Sequence, residues 1–272
     1  MTKPILIIGG RGKTGARVAD RLVARGLPVR LASRSTGFDW TDSSTWAAAL
    51  DGAASAYITY YPDIAIKGAA EAISAIAELA LSLGVKRLVL LSGRGEPEAQ
   101  RAEQQLIASG ADWTIVRASW FNQNFDEGQF LEMVLGGEVA LPVDTVREPF
   151  VDCDDIADVA VAALTDDRHI GEVYEVTGPR LLTFAEVIAE INRASGSSVK
   201  FRTMPAHEFL DSLAGSEMPE EIAGLLEELF SEVLDGRNES IADGVQRALG
   251  RQPKDVADFA REAAAKGAWR QA

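Results

Sequence analysis

The sequence predicts an α/β fold, a doubly wound parallel sheet with a smaller, mostly helical C-terminal region. Three observations point there. Strand-length apolar runs alternate with helical patterns through the first two-thirds of the chain. The first run, Ile5-Leu6-Ile7-Ile8, ends in glycines at positions 9, 12 and 15, and a helical pattern opens at once. Leu88-Val89-Leu90-Leu91 is a dense apolar block of the kind buried on both faces of a parallel sheet.

Taken in order, a strand at 4–8 feeds a helix that stops at Gly26, and a second strand follows at 29–33. A short third strand is expected around Phe38, before Asp42-Ser43-Ser44-Thr45, which supplies a helix start. Ala56 to Tyr60 reads as a fourth strand, Ile64 to Leu83 as a long Ala-rich helix, and Val85 to Leu91 as a fifth strand. A helix at 98–109 leads to a sixth strand at Trp113–Val116. From about residue 120 the pattern is mixed: a helix near 125–135, short strands near 139 and 150, a helix at 154–164, a strand at 172–176 and a helix at 183–194. After Met204 the chain reads as almost wholly helical, with an apolar stripe through Ile222, Leu225, Leu226, Leu229, Phe230, Val233 and Leu234 that suits core packing. The expected division is residues 1–150 as the Rossmann-type domain, joined by the late strand at 172–176, and 151–272 as a mainly helical substrate-binding region.

The glycine turn carries the first functional signal. One glycine makes the tight turn, the second lets the backbone approach a pyrophosphate, and the third lets helix pack on strand. N–H groups at the helix start then face the anion. Gly12-Lys13-Thr14 resembles the end of a mononucleotide phosphate loop, but that pattern needs glycine at position 7, which is Ile. The turn therefore reads as a dinucleotide site. The first 38 residues hold eight basic side chains against one acid, Asp20, inside a chain of net charge −14. No acid falls between Asp20 and Asp39, where a site for NAD places a carboxylate on the ribose hydroxyls. Arg34 stands there instead, and with Arg11 it suits a 2′-phosphate, so the expected cofactor is NADP(H). Arg17, Arg21 and Arg25 are expected to coat the solvent face of the first helix.

Composition bounds the rest. No apolar stretch reaches 18 residues, so no membrane span is expected, nor a secretory leader, and the expected location is cytoplasmic. One cysteine, Cys153, excludes an internal disulfide and a cysteine metal cluster. His169 and His207 lack ligand spacing and read as surface or helix residues, so no metal is expected. The acidic balance argues against nucleic acid. The expected partner is a small-molecule substrate, with a homodimer allowed.

Several segments together resemble the NmrA-like, atypical short-chain dehydrogenases. They are Gly9-Gly10-Arg11-Gly12-Lys13-Thr14-Gly15, Leu91-Ser92-Gly93, Trp113 to Arg117, Trp120-Phe121-x-x-Asn124-Phe125, Pro149 to Asp152 with Asp155-Ile156-Ala157, and Tyr174-x-x-Thr177-Gly178-Pro179. The likeness runs on through Leu249-Gly250-Arg251-x-Pro253 to Trp269 and is strongest toward quinone, triarylmethane-dye and ergot-alkaloid iminium reductases. One departure is Ala118, where relatives often have Pro after Arg117. The resemblance implies that Gly9, Arg11, Gly12, Lys13, Thr14 and Arg34 hold the adenosine and phosphates of NADP(H). It places Tyr60, Pro62, Ser92, Gly93, Ser119, Trp120 and Asn122 at the nicotinamide end.

Ordinary short-chain dehydrogenases use a Tyr and a Lys four residues apart, the Lys lowering the Tyr pKa for proton exchange with a carbonyl oxygen. Tyr57, Tyr60, Tyr61 and Tyr174 all lack such a Lys, and no lysine occurs between Lys86 and Lys200. The helix where the pair would sit carries Glu96, Glu98 and Glu103, of which Glu98 and Glu103 read as a solvated face. Two functions follow. One is a reductase whose acceptor (iminium, quinone, enone or dye) takes hydride without that pair, with Ser92, Tyr60 and Trp120 as candidate catalytic residues. The other is a non-catalytic NADP(H) redox sensor that acts through a protein partner.

Overall fold

The computed structural model describes residues 2–214, 224, 226–227 and 229–270. The chain opens with β1 (Ile5–Ile8), α1 (Lys13–Ala24), β2 (Val29–Ala32), α2 (Trp46–Leu50), β3 (Ser55–Ile58) and α3 (Ala69–Ser82), then β4 (Arg87–Gly93), α4 (Pro97–Ala108) and β5 (Asp112–Ala118). It continues through α5 (Leu131–Leu135), β6 (Glu138–Leu141), β7 (Arg147–Glu148), α6 (Cys153–Thr165), β8 (Glu172–Val176), β9 (Leu182–Thr183) and α7 (Phe184–Ser195). The remaining elements are β10 (Lys200–Thr203), α8 (Ala206–Ala214), α9 (Gly244–Leu249) and α10 (Val256–Lys266).

Two compact units share these elements, and they do not part at residue 150. The first holds residues 1–118, 153–176 and 243–251, and the second holds 119–152, 177–242 and 252–272. The chain thus passes back and forth instead of finishing one unit before starting the next.

The first unit is built on six parallel strands in the order β2-β1-β3-β4-β5-β8. β1 is flanked by β2 on one side and β3 on the other, so the winding reverses at β1/β3, the switch point beside which doubly wound sheets bind ligands. Burial on both faces explains the unbroken apolar runs: Leu6, Ile7, Ile8, Leu88, Val89 and Leu90 are fully buried. On one face Leu6, Ile8, Leu88 and Leu90 pack with Ile73, Ile76, Ala77 and Ala80 of α3 and Ala99, Ala102 and Leu106 of α4. On the other face, Arg21 of α1 donates to Asp158 of α6 at 2.6 Å and to Asp154 at 2.8 Å, and Arg17 stands 3.4 Å from Asp154. Arg17 and Arg21 therefore tie two helices together instead of coating a solvent face; Arg25 alone of the three is exposed. Arg251 extends the network to Asp155 and Asp158, each at 2.5 Å.

The second unit has its own core, in which Phe125, Phe130, Phe150, Phe184, Phe209 and Phe230 pack with aliphatic side chains of α7 and α10. Of the apolar stripe expected after Met204, Leu226, Phe230 and Leu234 lie in this core; Ile222 and Leu225 lie outside the described residues. β6 pairs in parallel with β10, a strand the polar sequence Lys200-Phe201-Arg202-Thr203 does not announce, because its side chains are mostly exposed.

Other expectations change in detail. No strand forms around Phe38, and Asp39 makes only an isolated bridge to Asp42. Phe38 instead sits in an aromatic nest, stacked on Trp46 at 6.4 Å and edge-on to Trp40 at 5.2 Å. Two indole N–H groups close the nest, Trp46 to the Asp39 carbonyl at 2.7 Å and Trp40 to the Thr59 carbonyl at 3.1 Å. The helix expected from Ile64 begins at Ala69, and the one expected at 125–135 shrinks to Leu131–Leu135. The strand expected near 150 is the two-residue β7, which ends where Pro149 removes a donor. The region after Met204 is less helical than expected, since 234–243 and 250–255 are irregular.

His169 is also a correction. It is 1% exposed, its Nδ1 lies 2.8 Å from the Tyr174 hydroxyl, and its carbonyl accepts the Thr114 hydroxyl at 2.7 Å. Burial holds the imidazole below its ordinary value of 6.5, and the nearby Arg168 charge adds to the effect.

Two predictions follow from this packing. Below pH 6.5 the unfolded chain binds a proton at residue 169 that the folded chain refuses, so stability contributed by His169 falls as pH falls through that window. Denaturant titrations across that range are expected to show the slope in the wild type and a shallower one in His169→Gln. Gly15→Ala, whose new Cβ would stand 2.3 Å from the Gly9 carbonyl oxygen, is expected to cost about 1–3 kcal/mol in the same titrations.

Candidate functional site

The C-terminal ends of β1, β2, β3 and β4 bring most of the expected residues to one edge of the first unit's sheet. At β1, Gly9 takes a left-handed φ of +76°, and a Cβ there would fall 1.9 Å from the Thr59 hydroxyl oxygen. Thr59 fixes this corner by donating its hydroxyl to the Ile8 carbonyl at 3.0 Å. Gly12 donates its N–H to the Gly9 carbonyl at 2.9 Å and caps α1. Its virtual Cβ meets only the Gly9 carbonyl, at 3.3 Å, so the backbone is bare on its outer side. Lys13 and Thr14 begin α1, where helical N–H groups have no partner within the helix. Such a turn fits a pyrophosphate: it offers N–H donors, a helix N-terminus and no side chain in the way.

Arg11 and Arg34 are both exposed. Arg34 follows β2 and lies over the Tyr61 ring, 4.8 Å from its centroid. The acid nearest the β2 end, Asp39, is occupied: it accepts the Thr41 N–H at 2.9 Å and the Thr41 hydroxyl at 2.8 Å. The Thr41 N–H and hydroxyl hold its carboxyl below the ordinary range, with a smaller pull from Arg34. Arg34 thus keeps an open guanidinium face at the position where a ribose 2′-phosphate falls in this architecture.

Tyr60 follows β3 and packs against Trp40 at 4.8 Å, and Pro62 follows Tyr61 through a cis peptide bond. The next residue, Asp63, is one that sequence reasoning passed over. Burial raises its carboxyl above the ordinary value while the Ala65 N–H donates to it at 2.9 Å. Tyr57, inside β3, is fully buried and its phenol is pushed far up by that burial, which removes it as a proton source near neutrality.

Ser92 and Gly93 end β4. Ser92 is 3% exposed and donates its hydroxyl to Glu103 Oε1 of α4 at 2.6 Å. Glu103 is not on a solvated face: it is 1% exposed and takes both arms of the Arg117 fork, Nε to Oε1 at 2.9 Å and Nη2 to Oε2. Arg117 also reaches Glu175 of β8 at 3.4 Å, and Arg94 approaches the same carboxylate oxygen at 3.5 Å. The Glu103 contact raises the Arg117 guanidinium further above its ordinary value. A signal for this was present. Ala99, Ala102, Glu103 and Leu106 fall on one helical stripe, so Glu103 occupies a core position of α4. Glu98, by contrast, pairs with Arg101 at the surface, as expected.

Ser119, Trp120 and Asn122 belong to the second unit. Ser119 donates its hydroxyl to Glu148 at 3.2 Å, and both are buried. Trp120 is stacked on Phe130 at 6.2 Å and edge-on to Phe184 at 5.4 Å. Asn122 has no exposed surface, and neither polar atom of its amide has a hydrogen-bond partner among the described residues. Among the described residues no group of three His, Cys, Asp or Glu side chains is placed to hold a metal, and no helix is long and apolar enough to cross a membrane.

Comparison with known proteins agrees with this architecture. An uncharacterized oxidoreductase of Bacillus subtilis is 30% identical over 275 residues, covering 96% of each chain. The NAD(P)H azoreductase of Xenophilus azovorans is 30% identical over 292 residues, covering 97% of this chain and 99% of its own. Among solved structures, the Citrobacter sp. triphenylmethane reductase complexed with NADP(H) superposes with a TM-score of 0.77 at 16% identity, covering 96% of this chain and 99% of that one. Residues 38–260 match the NmrA-like family, so the chain belongs to that family.

Proposed function

We propose that the protein is an NADP(H)-dependent reductase that delivers hydride to a small organic acceptor without a Tyr–Lys pair. The observation that carries this reading is the junction of a bare glycine turn on β1 with the Arg34 guanidinium beyond β2, at the switch point of the first unit's sheet. Relatives whose names record oxidoreductase, azoreductase and triphenylmethane reductase activity support it.

Each residue has a task in this reading. The N–H groups at Lys13 and Thr14 take the pyrophosphate, with Gly9 making the turn and the side-chain-free Gly12 letting the phosphates approach. Arg11 and Arg34 grip the 2′-phosphate, the Arg34 plane steadied against Tyr61. Tyr60, Pro62, Ser92 and Gly93 flank the nicotinamide. The bound cofactor supplies the hydride, and the protein contributes binding and orientation, which alone lower a barrier substantially. No residue here combines a titrating Tyr with a neighbouring Lys, so the fitting acceptors are those already electron-poor: iminium ions, quinones, enones and cationic dyes.

The cofactor assignment predicts that Arg34→Asp weakens NADPH binding by about 10- to 150-fold, the range of a lost charged hydrogen bond, and NADH binding far less. Calorimetric titration with both nucleotides checks it, and equal loss of both sinks the 2′-phosphate role. The activity is checked by loss of reduced-nicotinamide absorbance across a panel of iminium, quinone, enone and dye acceptors, with turnover of at least one class expected. Tight NADPH binding with no oxidation of any acceptor would instead favour a redox sensor, to be pursued by capture of a protein partner.

A further inference from the structure

In the α4 helix, where short-chain dehydrogenases keep their Tyr and Lys, this chain buries a carboxylate. Glu103 sits on the apolar stripe of α4 at 1% exposure and is held through both oxygens by the Arg117 fork. Both of its oxygens accept from guanidinium N–H groups, and an arginine offers no acceptor to take a hydrogen in return. The direction of its 2.6 Å bond to Ser92 is thereby fixed: Ser92 donates and Glu103 accepts. A serine hydroxyl owns one hydrogen and two lone pairs, so Ser92 Oγ is left only as an acceptor toward anything else. A buried ion pair is a poor stabiliser compared with an apolar pair of similar volume, which makes packing an inadequate reason for Glu103 and Arg117 at this position.

We propose that Glu103 is a positioning residue that makes Ser92 a hydrogen-bond acceptor for the carboxamide N–H of the nicotinamide, so that Ser92 orients the cofactor and supplies no proton. This rests on the proposed reading, in which the end of β4 flanks the nicotinamide. Glu103 acts through Ser92, and Arg117 through Glu103, from the side of the sheet that α4 covers.

The test compares wild type, S92A, E103Q and S92A/E103Q for binding of NADPH, of adenosine 2′,5′-bisphosphate, and of the acetylpyridine analogue of NADPH, in which a methyl replaces the carboxamide nitrogen. Because E103Q takes from Arg117 the buried charge that grips it and leaves it with Glu175, E103L/R117M with and without S92A is carried in parallel, and thermal unfolding verifies that each variant is folded. Expected is a loss of about 3- to 10-fold in NADPH affinity for S92A and for E103L/R117M, the worth of one hydrogen bond, and a smaller loss for E103Q, whose amide oxygen still accepts the Ser92 hydroxyl. In the S92A background the Glu103 changes are expected to add nothing. The bisphosphate is expected to bind all variants alike, and so is the acetylpyridine analogue. Additive losses in the S92A background, or equal losses with the acetylpyridine analogue, overturn the inference while leaving the cofactor reading intact. Failure of the wild type to bind the bisphosphate overturns both.

Discussion

The first unit depends on a single close approach. Gly15 of α1 lies so near Gly9 that a Cβ would stand 2.3 Å from the Gly9 carbonyl oxygen. Gly9 itself turns with a positive φ against the Thr59 hydroxyl at the end of β3. The Gly9 turn and α1 therefore meet backbone to backbone at the switch point, and the Thr59 side chain closes the side toward β3. This contact brings the N-terminus of α1 up to the strand ends, so that its unpaired N–H groups face outward at the sheet edge. With even one methyl group at Gly15, α1 would tilt away, and both the phosphate site and its packing against α6 would shift with it.

Two ionic networks then act at different depths, and their energetic meaning differs. The ties of Arg21 to Asp154 and Asp158 join partly exposed side chains, 26%, 32% and 33% accessible. Pairs like these are worth about 0–1 kcal/mol each, so they set the registry of α1 on α6 more than they hold it. The Glu103–Arg117 pair is a different case, because Glu103 is out of water. Losing one partner of a buried pair costs roughly 3–5 kcal/mol, while replacing both with apolar groups is often harmless. Stability therefore does not explain why the pair is there, whereas control of the Ser92 hydroxyl does.

Local pattern made the sheet legible. Parallel strands buried on both faces leave unbroken apolar runs, and the glycine spacing follows from one turn and two close approaches, so β1, β4, β5 and the glycine turn can be located from sequence, with strand ends displaced by up to two residues. What escaped reading depends on partners far along the chain. Arg17 and Arg21 look like a solvated face until α6, more than 130 residues on, sets Asp154 and Asp158 against them. The Phe38 segment has strand-like residues, yet its indole and phenyl groups find one another and two backbone carbonyls, and the local nest wins over sheet extension. β10 carries no alternation because its side chains are mostly exposed. The interleaving of the two units leaves no composition shift at any boundary. Glu103 was readable in principle, since its spacing from Ala99, Ala102 and Leu106 puts a charge where the helix meets the core.

The same reasoning narrows the chemistry that the first unit can perform. A proton delivered beside the hydride has to come from a group that titrates near neutrality and is not already committed. Tyr57 is sealed in β3 with its phenol pushed far upward. Tyr61 is exposed and turned to Arg34, which suits the phosphate end of a dinucleotide. Ser92 has given its hydrogen to Glu103, and Glu103 is neutralised by Arg117. Asp63, at the β3 end, is raised by burial, but its Oδ1 is held by the Ala65 N–H at the start of its own loop. A unit so arranged is suited to orient a hydride donor and poorly suited to protonate an alkoxide. On the proposed reading the burden of reactivity falls on the acceptor, whose electron deficiency does what a catalytic acid does in a carbonyl reductase.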